Sequence, residues 1–239
     1  MKYVIENVTG NKILDSEFDK IVEFFNMESL DWFKKYNDEY KATIKGKKLI
    51  VIEGIIGSGK SYVCEKYFSN NILIDEPLDL WKNIFINHDG KKNNILDHWY
   101  NIDSNEKIAF RMELQTIIIF TKIIYILYYL RNYNDTNTFI MERSFSSSLI
   151  FYKIMDNVDS KEYSILEGIC ENFEFPKENI LYIYVHSFDN EHVQKCFNRI
   201  NDRARSEEAK LSYSYLEKLY SEYNNFIKSS KFSYILFNN

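Results

Sequence analysis

The residues best suited to chemistry are Gly54-Ile55-Ile56-Gly57-Ser58-Gly59-Lys60-Ser61, which hold three of the chain's seven glycines. Their spacing, G-x-x-x-x-G-K-S, follows the apolar run Leu49-Ile50-Val51-Ile52 and precedes a helix-like segment over residues 62–68. Glycine lets the backbone turn with positive φ and come close to a ligand. The amides of such a loop, at the start of a helix, converge on phosphate oxygens. Strand, glycine loop and helix in this order make a P-loop. In it Lys60 reaches the β- and γ-phosphates and the Ser61 hydroxyl holds Mg²⁺.

In open α/β sheets ligands sit beyond the carboxyl ends of the strands, so polar residues just after strands are the next candidates. Asp75-Glu76-Pro77 follows the second predicted strand, with Trp81 one helical turn on. A carboxylate there can serve as base for an attacking hydroxyl; the tripeptide fits equally an acidic turn whose proline starts a helix. Glu142-Arg143-Ser144 follows the third strand. Glu142 can hold Mg²⁺ directly or through water and Arg143 can clamp an oxyanion, the alternative being a surface ion pair with Ser144 as N-cap. Arg199, Arg203 and Arg205, with Glu207 and Glu208, follow the helix after the fourth strand. Arginine suits phosphoryl oxygens, although internal Arg–Glu pairs on a solvated helix give the same pattern.

The elements that must position these residues alternate strand and helix from Lys48 on, which predicts a parallel α/β sheet. Strands are predicted over residues 48–53, 71–75, 138–141, 180–185 and 233–237. The longest helix, residues 104–133, is apolar nearly all round in its second half, so it must be buried on all sides, either centrally or in a subunit interface. Residues 16–40 read as helical, with Phe18, Ile21, Val22 and Phe25 on a face that Leu30, Phe33 and Tyr36 continue. No Pro/Gly/Ser-rich linker divides the chain. One domain over residues 48–239 is expected, preceded by a helical N-terminal extension, residues 1–47, that packs on it.

A chain of 239 residues, 45% hydrophobic, can bury a substantial core. Its net charge of −5 argues against a general nucleic-acid surface. Cys64, Cys170 and Cys196 form no CxxC pair and no metal spacing, and read as reduced thiols. Residues 1–10 lack the apolar core of a signal peptide. The apolar run 116–130, interrupted by Lys122, falls short of the ~20 residues of a membrane span. A cytoplasmic protein with neither nucleic acid nor membrane as partner is expected.

Taken jointly, these pieces resemble the deoxynucleoside kinases: deoxycytidine and deoxyguanosine kinases, mitochondrial-type thymidine kinases, insect multisubstrate enzymes and, more distantly, herpesvirus thymidine kinases. The similar pieces are Ile52-Glu53-Gly54 running into the P-loop, Glu76-Pro77 with Trp81, Glu142-Arg143-Ser144, Arg203-Ala204-Arg205-Ser206-Glu207-Glu208 and Tyr215-Leu216-Glu217-Lys218-Leu219, in the family's order over residues 49–237. The resemblance implies a P-loop NTPase-type five-stranded parallel sheet flanked by helices, and a homodimer paired through long helices, which suits the apolar run 116–130. It implies transfer of the γ-phosphoryl of ATP or another NTP, with Mg²⁺, to the 5′-hydroxyl of a deoxynucleoside in nucleotide salvage.

By the same resemblance Glu76 is the general base, Glu142 the carboxylate on the Mg²⁺ side, and Arg143 the residue near the 5′-oxygen. Arg199, Arg203 and Arg205 are lid arginines over the phosphates. Glu208 reads the 3′-hydroxyl with Tyr100, while Trp81 and Tyr152 wall the base. At the position of the family's base-reading glutamine the alignment puts Glu113, with Gln115 two residues on. An ionised Glu113 only accepts hydrogen bonds and favours a donor-rich edge such as guanine's; Gln115 keeps thymine or cytosine natural. Phe120 and Ser148 stand where purine- and cytidine-preferring relatives carry Arg and Asp, which leans toward a thymidine-type or broad pyrimidine pocket. A monophosphate (dTMP-type) kinase is the competing enzyme reading, disfavoured because Glu76 would repel a phosphate acceptor. A nucleotide-binding regulator that uses residues 1–47 to bind a partner is the non-enzymatic one; the intact set Lys60, Ser61, Glu76, Glu142, Arg143 and Arg203 speaks against it.

Overall fold

The structure, a computed structural model, describes residues 3–5, 12–88, 91–101, 104–155, 158–186, 191–229 and 234–238. In chain order the elements are β1 (Tyr3–Ile5), α1 (Lys12–Asn26), α2 (Ser29–Ile44), β2 (Lys48–Glu53), α3 (Lys60–Tyr67), β3 (Ile72–Ile74), α4 (Leu78–Asn83), β4 (Ile84–His88) and β5 (Lys91–Asn94). Then come α5 (Ile95–Asn101), α6 (Ser104–Asn132), β6 (Thr138–Glu142), α7 (Phe145–Lys153), α8 (Ser160–Phe173), β7 (Ile180–His186), α9 (His192–Arg203), α10 (Tyr213–Ser229) and β8 (Tyr234–Asn238).

Five strands form one parallel sheet in the order β3-β6-β2-β7-β8. These are the five strands predicted, with β3 trimmed to three residues and the other ends shifted by at most one. Helices cover both faces, so β2 buries Val51, Ile52 and Glu53 in succession and does not alternate. The strand order places the loops after β3, β6 and β2 side by side at one end of the sheet. Those loops begin with Asp75-Glu76, Arg143 and Gly54 respectively, so residues far apart in sequence meet there. A small antiparallel sheet, β1-β4-β5, lies apart from the main one in the strand pairing.

The predicted helix over residues 16–40 is two helices. The chain breaks at Glu28, whose backbone is extended, and resumes with Ser29. The buried face of α1 is Ile13, Glu17, Ile21 and Phe24, while Phe18 is 51% exposed and Leu30, on α2, is 40% exposed. The expected face was therefore rotated by about one residue. What decides the rotation is the aromatic packing beneath: Phe24 stacks on Phe120 of α6 with centroids 3.9 Å apart, and Trp32 of α2 meets the same ring edge-on at 4.9 Å. Buried Glu17 is tolerated because Arg131, at the end of α6, donates to it at 3.0 Å.

The second half of α6 is apolar nearly all round, as read from the sequence, and is buried accordingly: Ile117, Ile119, Phe120, Ile123, Ile124, Ile126, Leu127 and Leu130 are all in the core. Residues Arg111–Asn132 are long and apolar enough to cross a membrane, and 78% of the most apolar window is buried inside the fold. The run 116–130 was expected to carry a subunit interface. Here α1 and α2 of the same chain pack on α6.

Cutting the stacked ring should show how much this packing contributes. Phe24→Ala should lower unfolding free energy by about 3–5 kcal/mol in a denaturant titration, the usual cost of emptying an aromatic core site.

Candidate active site

The P-loop backbone needs its glycines. Gly57 has φ 79°, and a Cβ there would lie 2.5 Å from the Cys196 carbonyl oxygen of α9. Gly59 takes φ 94° as it enters α3. Ile55, an unusual loop residue, is fully buried with Tyr184, Val193 and Cys196, and thus ties the loop to α9. Its carbonyl accepts from Lys60 Nζ at 3.0 Å. Lys60 is 4% exposed and also faces Glu142 at 3.8 Å. Burial pushes its ammonium down to about 8; Arg143 pushes the same way, and Glu142, Glu76 and Glu53 oppose.

Ser61 Oγ donates to Glu142 Oε2 at 3.0 Å across the β2 and β6 loops. Asp75 lines the same cavity, and its carboxyl is held above the ordinary range by burial and then by Glu142, Glu65 and Glu76. Hard oxygen donors gathered in this way suit Mg²⁺. Among the described residues no group of three or more acidic, His or Cys side chains gathers as a metal site. The remaining ligands of Mg²⁺ held by Ser61 and Glu142 would thus be phosphate oxygens and water.

Glu76 and Arg143 form a close ion pair between the loops after β3 and β6. Burial alone would raise the Glu76 carboxyl; Arg143, Lys122 and Lys60 outweigh it and hold it below its ordinary value, so it is ionised at neutral pH. Arg143 sits in the left-handed region, φ 59°, a conformation that costs a non-glycine residue about 1–2 kcal/mol. The turn is fixed on both sides. Arg143 N donates to Ile52 O at 3.1 Å, and the next residue, Ser144, donates to buried Glu53 through its amide at 2.8 Å and its hydroxyl at 2.6 Å. Tyr223 of α10 donates to the other Glu53 oxygen at 3.1 Å. Glu53 was quoted in the sequence motif without a role; it holds the Glu-Arg-Ser turn in place.

Arg199, Arg203 and Arg205 line the cavity from α9 and the turn that follows it. Arg199 donates to the carbonyls of Gly57 and Ser58 at 3.3 and 3.4 Å. α9 ends at Arg203, and Ala204 turns the chain at φ 48°. Arg203 binds both oxygens of Glu208, at 2.8 and 2.6 Å, and Arg205 approaches at 3.8 Å. Glu208, expected to pair with Tyr100, is thus held by Arg203, although both Tyr100 and Glu208 line the cavity.

One cavity of about 480 Å³ joins these groups. Its lining includes the apolar side chains of Leu78, Trp81, Ile118 and Phe151. Trp81 is fixed by donating to Thr121 Oγ1 at 2.8 Å. Two expected substrate contacts, Glu113 and Tyr152, do not line this cavity. Gln115 lines the cavity and Glu113 does not, because two residues on a helix lie about 200° apart and only one can face inward. Tyr152 is fully buried and bonded to Glu162, and its neighbour Phe151 forms the wall, packed under the Arg143 guanidinium at 5.3 Å. Phe120 is consumed by the stack on Phe24, while Lys122, two residues on, reaches the cavity beside Ser148. Lys122 was read only as an interruption of an apolar run. A buried lysine must find polar partners, and that was the available signal.

The depressed Lys60 ammonium has a measurable sign. Phosphate binding requires the cation, and the free protein loses it as pH rises through about 8. ATP affinity measured calorimetrically between pH 7 and 9.5 should weaken by about tenfold per unit above 8; a flat profile would contradict the buried setting of Lys60.

Comparison with known proteins agrees with this geometry. A sequence profile of the deoxynucleoside kinases matches residues 50–238. A protein of Invertebrate iridescent virus 3, named as a kinase by inference, is 28% identical over 179 residues, covering 73% of this chain and 80% of its own. Deoxyadenosine kinase of M. mycoides with dCMP and dCDP bound has a similar fold, with a TM-score of 0.60 at 19% identity, over 80% of this chain and 90% of that one. The same enzyme with dATP gives 0.58 at the same identity and coverage. With its P-loop, its paired Glu76 and Arg143 and the arginines of α9 on a five-stranded parallel sheet, the chain belongs to the deoxynucleoside kinase family.

Proposed function

We propose that the chain transfers the γ-phosphoryl of ATP to the 5′-hydroxyl of a deoxynucleoside. The observation that carries this reading is that Glu76 lines one cavity together with the P-loop residues Gly57, Gly59 and Lys60 and with the aromatic rings of Trp81 and Phe151. A triphosphate on the P-loop amides meets Lys60 at its β- and γ-phosphates, with Arg199, Arg203 and Arg205 above. Mg²⁺ held by Ser61 and Glu142 supplies charge neutralisation on the phosphate oxygens. Such positioning and charge stabilisation make up nearly all of phosphoryl-transfer catalysis.

On the acceptor side, ionised Glu76 takes the proton of the 5′-hydroxyl as that oxygen attacks. A carboxyl with a lowered pKa is a weak base, which suits a loose transition state in which the hydroxyl proton leaves late. Arg143 keeps Glu76 aimed and places a cation beside the entering oxygen. Glu208 and Tyr100 position the sugar, Glu208 being released by Arg203 when that side chain turns to phosphate. The small side chain of Ser148 leaves room at the base.

Glu76→Gln should leave ATP binding nearly unchanged and lower kcat by at least ~10²-fold. Normal turnover in that variant would remove Glu76 as the base. The wild-type assay, with ATP and Mg²⁺ across the four deoxynucleosides and dTMP, separates the readings. Transfer to dTMP alone would indicate a monophosphate kinase, and ATP binding without transfer a binding protein.

A further inference from the structure

Tyr223, on α10, is fully buried and does not line the cavity, yet it touches the supports of both the phosphate loop and the Arg143 turn. Its ring stacks on Tyr184 of β7, with centroids 5.7 Å apart and planes 16° from parallel. Tyr184 lies beside Glu53 in the pairing of β2 with β7. Both tyrosines share a core cluster with Ile55 of the P-loop and with Cys196, whose carbonyl leaves no room for a side chain at Gly57. The ring is therefore part of the packing on which the phosphate loop rests.

The hydroxyl of the same residue serves the turn after β6. It donates to Glu53 Oε2 at 3.1 Å. Glu53 is 2% exposed and, among the described residues, forms no ion pair. A buried carboxyl without a cation depends on its hydrogen bonds. The other two donors are the Ser144 amide at 2.8 Å and the Ser144 hydroxyl at 2.6 Å, both on the turn that needs holding. Tyr223 thus supplies the one donor from another element among the described residues. The turn needs that anchor because Arg143 sits at φ 59°, a conformation that an L residue keeps only where its surroundings enforce it. Arg143 in turn pairs with Glu76.

We infer that Tyr223 is a positioning residue for phosphoryl transfer, fixing the Arg143–Glu76 pair on the acceptor side relative to the P-loop on the donor side. The inference rests on the deoxynucleoside kinase reading and deepens it. Holding a triphosphate takes the loop amides and Lys60, and holding a nucleoside takes the rings and polar groups that line the cavity; Tyr223 is in neither set. What depends on it is the alignment of the entering oxygen with the γ-phosphoryl, a demand of the transition state alone. The two contacts of Tyr223 can be separated. A phenylalanine keeps the stack on Tyr184 and leaves Glu53 Oε2 without its donor, which loosens the turn and spares the packing under the P-loop.

The test compares Tyr223→Phe with the wild type and with Phe226→Leu, a packing variant three residues on in α10 whose ring meets Tyr182. Kinetics are measured with ATP, Mg²⁺ and the best of the four deoxynucleosides, well below the melting temperature of each variant. Tyr223→Phe should lower kcat by about tenfold to a hundredfold, the cost of a small misplacement of reacting groups, with both KM values within about twofold of the wild type. Phe226→Leu should lower the melting temperature and leave kcat unchanged. Amide hydrogen exchange gives a readout that needs no transfer: the Ser144 amide should exchange faster in Tyr223→Phe and at the wild-type rate in Phe226→Leu. Normal kcat in Tyr223→Phe overturns the inference, as does a raised KM with kcat preserved. So does a fall in kcat that Phe226→Leu reproduces, or unchanged exchange at Ser144. A wild type that phosphorylates no deoxynucleoside overturns the kinase reading instead; faster Ser144 exchange in Tyr223→Phe would then still support the anchoring of the turn.

Discussion

The site is built on a trade between burial and charge. Lys60, Lys122 and Arg143 are nearly inaccessible to water, and so is Glu53, with Glu76 and Glu142 close by. A buried ion without a partner costs several kcal/mol, and removing one member of a buried pair exposes that cost. Each cation here meets a carboxylate or a row of oxygens, and each carboxylate belongs to a different loop. Glu76 follows β3, Glu142 closes β6 and Glu53 closes β2, so the charges can balance only when the three strands are in register. The same balance leaves a ready set of charges, dry and aimed, where phosphoryl transfer needs them.

That dependence explains what the sequence disclosed. Motifs contiguous in the chain, such as Gly54 to Ser61 or Glu142-Arg143-Ser144, announce themselves because their geometry is local. The five strands were legible because buried parallel strands are short apolar runs between breaks. The acceptor pocket was not, because it depends on which way helices turn. On α6 a change of two residues swaps Glu113 for Gln115 and Phe120 for Lys122, and nothing local fixes the rotation. What fixes it is Phe24 and Trp32, about ninety residues upstream, which claim Phe120 for the core. Tyr152 and Phe151 exchanged places for a related reason, since Glu162 draws the tyrosine hydroxyl away from the cavity. In α1, periodicity marked a face that included Phe18, and burial of Glu17 opposite Arg131 put the inward side elsewhere.

α6 thus serves two surfaces. One side carries Gln115 and Lys122 into the cavity, and the other rests on the N-terminal helices. Glu53 plays a comparable double part at smaller scale, since its two oxygens join the end of β2 to the turn after β6 and to α10. Rigidity at the reacting groups therefore comes from contacts that never touch a ligand.

The helical pair ahead of β2 has a further consequence for mass action. Only residues 45–47 separate α2 from the central strand, so the cover of α6 is held beside it at an effective concentration on the order of millimolar, whatever the protein concentration. A cover borrowed from a second subunit would come off on dilution, and stability would then depend on protein concentration. With its own N-terminal helices in that position, this chain covers the apolar run of α6 even as a single copy.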